Sequence, residues 1–151
     1  QRSPGCNYRR RIGRFVHGED VEDLRNLVTT LKPDTFRAKN LCPLNPTFSL
    51  ESIIPRAADV DFLKDETLID IKTTKNPKLT KSYITQLLGY VTLNEISNIG
   101  GQSPKPTINK IAIYFSRHAY LYVMDLSEVI TTETYPDFVA WFVEEARKVT
   151  D

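Results

Sequence analysis

Cysteine is scarce in this chain: Cys6 and Cys42 are the only two among 151 residues. Two thiols exclude a disulfide framework and fall short of a four-cysteine zinc or iron–sulfur site. Both are expected reduced, as in a cytosolic protein. Apolar runs near the ~20 residues that span a bilayer are missing, and no charged-then-apolar leader opens the chain, so no membrane partner is expected. Neither sign of charge dominates, with 20 Lys and Arg against 19 Asp and Glu and a formal net charge of +1. Any surface for a polyanion must therefore come from local clustering. No internal repeat and no low-complexity segment interrupts the sequence, which excludes a solenoid or a linker array. The chain opens at Gln1 without a Met, as expected of a piece of a longer protein or complex.

What remains has the length of one domain with a real core. Residues 1–14 carry Arg2, Arg9, Arg10, Arg11 and Arg14 and read as a basic N-terminal segment; 15–151 read as a single domain. From 15 to 31 the apolar Val21, Leu24, Leu27, Val28 and Leu31 recur at three and four, one face of an amphipathic helix that Pro33 ends. Pro33, Pro43 and Pro46 mark a loop over 33–46, ahead of a strand expected over 47–54. A second helix is expected from about 80 to 97 on Ile84, Leu87, Leu88 and Val91. Residues 108–115 and 120–125 alternate as a second hairpin. Pro136 suits the first turn of a last helix whose Phe138, Val139, Phe142, Val143 and Ala146 face inward.

The most informative stretch is Arg56-Ala-Ala-Asp-Val-Asp-Phe-Leu63 followed, after Lys64-Asp65-Glu66, by Thr67-Leu-Ile-Asp-Ile-Lys-Thr-Thr74. Both runs alternate with period two, so they predict a hairpin turning at Asp65 and Glu66. The ladder then pairs Lys64 with Thr67, Phe62 with Ile69, Asp61 with Asp70 and Asp59 with Lys72. Opposite residues in an antiparallel pair share a face, with Cα atoms roughly 4.5–5.5 Å apart. Three carboxylates and one ammonium on one patch repel unless something cationic sits among them, and a divalent metal is the expected answer.

An acidic residue on one strand, then Asp/Glu-x-Lys on its hairpin partner, resembles the signature of the PD-(D/E)xK nuclease superfamily, with Asp70-Ile71-Lys72 matching the second half. Gln86-Leu-Leu-Gly-Tyr90 is similar to the Gln-x-x-x-Tyr element of its RecB-like branch, and Gly13-Arg-Phe-Val-His17 to the Gly-x-x-x-His that opens the first helix there. Val60 stands where the superfamily name has Pro. The resemblance spans about residues 13 to 125. It implies an α/β fold with a restriction-endonuclease-like core, a mixed sheet flanked by helices in the order α-β-β-β-α-β plus a C-terminal helix. It also implies a metal-dependent deoxyribonuclease: Asp61 and Asp70 as metal carboxylates with Asp59 as the alternative first one, Lys72 as the catalytic lysine, Gln86 and Tyr90 flanking the site, and His17 and the Ile71 carbonyl as further ligands.

Elementary chemistry agrees with that implication. Mg²⁺ or Mn²⁺ takes hard oxygen ligands and is held by one or two carboxylates plus substrate phosphate, and a bound dication makes phosphodiester hydrolysis feasible at neutral pH. Lys72, on the same strand face as Asp70, is placed to orient water or to stabilise charge on the phosphorane. Lys75, Lys78 and Lys81 follow at intervals of three and are candidates for contact with the DNA backbone. The alternative function is a non-cleaving nucleic-acid-binding module or a nuclease-fold domain of a larger DNA-processing protein; the plainest reading of Asp59 is a salt bridge to Lys72.

Overall fold

The period-two alternation on either side of Asp65 and Glu66 folds as a tight antiparallel hairpin, β1 (Phe62–Lys64) and β2 (Thr67–Lys72), in register Phe62 with Ile69, Leu63 with Leu68 and Lys64 with Thr67. A computed structural model describes residues 17–48, 58–97, 99 and 104–148. The basic 1–14 segment, Cys6, Gly13 and most of the strand expected over 47–54 lie outside the described residues. Asp65 takes the positive φ of 51° that the turn demands, a conformation an Asp tolerates better than most residues. Its carboxylate also accepts the backbone N–H groups of Lys39, Asn40 and Leu41. Those three bonds hold its pKa below the ordinary carboxylate value and tie the turn to the segment ahead of the hairpin.

β2 runs parallel to β3 (Lys110–Phe115), which pairs antiparallel with β4 (Tyr120–Asp125), giving one mixed four-stranded sheet in the order β1-β2-β3-β4. A parallel neighbour requires a crossover, and α3 (Lys81–Ile96) supplies it. Thr80 caps that helix by accepting the N–H of Tyr83 at 3.4 Å. Residues 111–115 of β3 are all buried, as befits a central strand covered on both faces. The turn into β4 lacks a glycine, and Ala119 adopts φ 45° in its place.

One face of the sheet packs under α3 as the main core, with Leu63, Leu68, Leu87, Ile111, Ile113 and Phe115 buried. The other carries the smaller cluster of Phe62, Ile69, Ala112 and Tyr114, against which Phe36 of the short α2 (Pro33–Phe36) packs, while Leu27 and Val28 of α1 (Gly18–Thr30), with Leu31 just after it, line an open groove beside it. The chain is thus an α/β protein with element order α-β-β-α-β-β-α, counting the one-turn α2 with its predecessor. Among the described residues no helix is long and apolar enough to cross a membrane.

Three expectations need correction, and one is only partly described. Pro33 ends the first helix but also opens α2 as its first residue, where its missing N–H costs nothing. The apolar face of α1 is not sealed: Leu24 and Val28 stay 61% and 72% exposed, and the helix has no buried residue. Of the strand expected over 47–54 only Thr47 and Phe48 are described; they make isolated bridges to Asp59 and Ile99, beside a bridge of Leu44 to Phe62. Pro43 and Pro46 donate no N–H, so this stretch pairs along one side through their carbonyls, which accept from Leu63 and Val60. On α4 (Tyr135–Lys148), Phe142 packs on the core but Phe138 is 40% exposed and no residue is fully buried. Edge strand β4, itself without a fully buried residue, offers little apolar surface to cover.

Candidate active site

Asp70 is the one buried acid among the described residues, 5% exposed on the α3 side of β2. Burial in the core pushes its carboxyl above the usual range; the Lys72 ammonium pulls it back, and the neighbouring Asp61 charge pushes it up again. Lys72 Nζ lies 2.7 Å from Asp70 Oδ2, yet off the direction of a hydrogen bond, so the oxygen has an ion pair without a directed donor. Residues 70 and 72 share a face because strand side chains alternate.

Lys72 is held from three sides. Besides Asp70 it donates to Gln86 Oε1 at 2.9 Å and sits 4.9 Å from the ring centroid of Tyr83. Gln86 in turn donates to the Tyr90 hydroxyl at 2.8 Å, and the Tyr90 ring stacks on buried Phe48 at 6.0 Å. The relay Asp70, Lys72, Gln86, Tyr90 therefore joins strand to helix and ends anchored in the core. Residues 83, 86 and 90 of α3 line up at spacings of three and four, one face of the helix. Tyr83 was not singled out in the sequence, although its position three residues before Gln86 places it on the face turned to Lys72.

Asp61 stands at the edge of the sheet, one residue before β1 begins. Its Oδ2 accepts the backbone N–H of Ile71 at 2.5 Å. In a strand the N–H and C=O of one residue point to the same edge, so the Ile71 carbonyl shares that edge with the Asp61 carboxylate. One carboxylate on β2, one just ahead of β1 and one main-chain carbonyl thus supply hard oxygen donors, the chemistry that Mg²⁺ and Mn²⁺ prefer.

The other site candidates are placed differently. Asp59 is not opposite Lys72: the β1–β2 ladder stops at Phe62, and Asp59 pairs with Thr47, exposed, while Lys72 is taken by Asp70 and Gln86. His17 precedes α1, exposed, with its carbonyl accepting from Asp20 and Val21 and no side-chain capping bond. Among the described residues no three His, Cys, Asp or Glu side chains cluster as a metal site, so His17 is not brought to Asp61 and Asp70. Lys75, Lys78 and Lys81 are exposed on the connection from β2 into α3 and its first residue; the Lys75 carbonyl meets His118 Nε2 at 3.1 Å. Arg117 forms a two-pronged pair with Asp23 that lowers the Asp23 pKa and fastens α1 to the β3–β4 turn. Compared with protein-family models, curated proteins and solved structures, the chain matches none.

Proposed function

We propose that this chain is a metal-dependent deoxyribonuclease of the RecB-like PD-(D/E)xK kind, built on a restriction-endonuclease-like core. The observation that carries the reading is the relay from buried Asp70 through Lys72 and Gln86 to Tyr90, beside an Asp61 whose charge reaches Asp70. A carboxylate and an ammonium set into a core strand are costly for folding alone, and Gln86 has no structural need for a lysine partner.

Asp61, Asp70 and the Ile71 carbonyl would hold Mg²⁺ or Mn²⁺. When bound, the cation neutralises charge on the attacked phosphate and eases loss of a proton from water. Asp70 is ready for this because burial makes its charge poorly solvated, so a dication meets an acceptor with little water to displace. Lys72, kept in place by Gln86 and the Tyr83 ring, donates toward the phosphate oxygen where charge grows in the transition state. Tyr90 holds Gln86 and does not reach Lys72 itself in any hydrogen bond of the relay. Exposed Lys75, Lys78 and Lys81, with no acidic residue in the first turn of α3, provide a face that a phosphate backbone can follow.

The test is digestion of circular and linear DNA, single and double stranded, with Mg²⁺, with Mn²⁺ and in EDTA. Cleavage dependent on the cation is expected, with Asp70→Ala and Lys72→Ala each reduced at least ~100-fold; wild-type cleavage by either variant overturns the proposal. Among the described residues no third acidic or histidine side chain joins Asp61 and Asp70, which favours a second reading, a fold that grips DNA without cutting. A mobility shift that persists in EDTA, with no products after Mn²⁺ is added, selects it.

A further inference from the structure

β4 is the last strand of the sheet, and half of its backbone polar groups turn outward. Two bonds fix which half: Leu126 N–H donates to the Asn109 carbonyl at 2.8 Å, and Lys110 N–H to the Glu66 carbonyl at 3.2 Å. The N–H and C=O of one strand residue share an edge, and that edge alternates from residue to residue. In the β3–β4 register the even-numbered residues of β4 therefore bond to β3, while Leu121, Val123 and Asp125 aim their N–H and C=O away from it. Among the described residues no hydrogen bond takes up these outward groups.

The two edges of the sheet differ in protection. Along β1 the 41–48 segment already takes the outer rungs, with Leu63 donating to the Pro43 carbonyl and Val60 to that of Pro46, and two prolines discourage a further strand there. β4 carries none of the usual guards. It has no proline, lysine or bulge, and its one charge, Asp125, is paired with Lys110 at 3.5 Å. Tyr120 and Val123, on opposite faces, are 53% and 43% exposed.

What matches such an edge is a second copy of itself. Opposite residues of an antiparallel pair share a face, so a two-fold axis at Tyr122 sets Tyr122 against its own counterpart, Tyr120 against Met124 and Leu121 against Val123. Each of these pairs is aliphatic or aromatic, and the rungs at Leu121 and Val123 are those whose backbone groups point outward. An axis at Val123 would instead set Leu121 against Asp125. The ends agree in sign as well: Arg117 and His118 lead into β4, Asp125 closes it and Glu128 follows. Antiparallel pairing brings the acidic end of one copy to the basic turn of the other, whereas parallel pairing would set like against like. Arg117 stays tied to Asp23 and Asp125 to Lys110, so the ends favour this orientation without new ion pairs.

We infer that two copies of this chain pair through the outer edges of β4, joining their sheets into one continuous sheet about a two-fold axis at Tyr122. This pairing is independent of the nuclease reading.

Sedimentation of the full chain over about 5–500 µM, with amide hydrogen exchange read residue by residue at the same concentrations, tests it. A short ladder is a small interface, so a dimer with a Kd of about 1–100 µM is expected. As the dimer fills, exchange at the Leu121, Val123 and Asp125 amides should slow several-fold, while the Tyr122 and Met124 amides, bonded within the sheet, stay protected at every concentration. Val123→Lys puts a charge at the middle of the open edge; it should abolish the dimer over this range and leave the melting temperature of the dilute chain unchanged. No dimer at the highest concentration, or a dimer that Val123→Lys leaves intact, overturns the pairing. Exchange at the three outward amides that does not change with concentration also overturns it, and constant protection there means that another part of the chain already holds the edge.

Discussion

Asp61 gives its carboxylate to the backbone N–H of Ile71 at 2.5 Å, filling the rung that the hairpin leaves open after Phe62 and Ile69. One side chain thereby closes the sheet edge and presents charge beside Asp70. Asn can replace the acceptor but not the charge. Asp61→Asn should keep stability within about 0.5 kcal/mol and abolish the rise in Tm expected of the wild type with Mg²⁺ or Mn²⁺. Asp61→Ala should lose that rise and about 1 kcal/mol besides, since the Ile71 N–H is left to water at a half-open edge. Thermal melts with and without the cation separate the two; equal cation shifts in wild type and Asp61→Asn speak against a ligand role.

The raised pKa of Asp70 sets a pH dependence. Its folded form holds the proton at pH values where the unfolded chain, with the model-compound value of 3.8, has lost it. Folding then binds protons, and the contribution of Asp70 to stability falls as pH rises from about 3.8 to the raised folded value and is flat above. Asp70→Asn removes the titration, so its stability relative to wild type should improve with rising pH across that window. A difference curve of Tm against pH reads it, and a gap moving in the opposite sense contradicts the burial of the charge.

Lys72 compensates that buried carboxylate. Its side chain is only 20% exposed, so water screens the pair little, and Lys72→Met should cost on the order of 3 kcal/mol at pH 7. The cost should shrink toward pH 4 as Asp70 takes up a proton. Denaturant melts at the two pH values check this; a cost independent of pH means that the lysine stem, not its charge, matters.

On the proposed nuclease reading Gln86, which accepts from Lys72 Nζ, positions that lysine. Gln86→Ala should lower kcat about tenfold, or about 1.4 kcal/mol in the barrier, with KM nearly unchanged. Gln86→Glu keeps an oxygen acceptor for Lys72 Nζ and should restore most of the rate. A matching loss in both variants, or a change confined to KM, assigns Gln86 to substrate binding.

Gly89 lies in mid-helix on α3, and a Cβ added there meets no atom within 4 Å. The close backbone approach that a helical glycine suggests is not what this residue serves. Gly89→Ala should therefore stabilise the fold by about 0.5–1 kcal/mol, by cutting the entropy of the unfolded chain, with DNA cleavage unchanged. A drop in Tm contradicts the open space.

Local chemistry was readable residue by residue. The alternation around Asp65 and Glu66 specified the β1–β2 hairpin and its register, because a turn of that length and a period of two leave one alignment that buries Leu63, Leu68 and Ile69. Spacing of four put Gln86 and Tyr90 on one face of α3, and alternation put Asp70 and Lys72 on one face of β2. Thr80 and Pro136 marked helix starts through the backbone groups they supply or lack.

Tertiary structure alone decided where those faces meet and which charges find partners. Asp59 leaves the expected ladder because the 43–48 segment, whose prolines offer only carbonyls, captures the strand edge first. Asp65 reaches donors about 25 residues upstream, and the Asp23–Arg117 pair joins groups 94 residues apart. The helical period of α1 set out an apolar stripe that the sheet does not cover. Periodicity reports the side a residue faces, but what lies across from it depends on contacts between segments far apart in sequence, and the chain encodes those only through the folded shape.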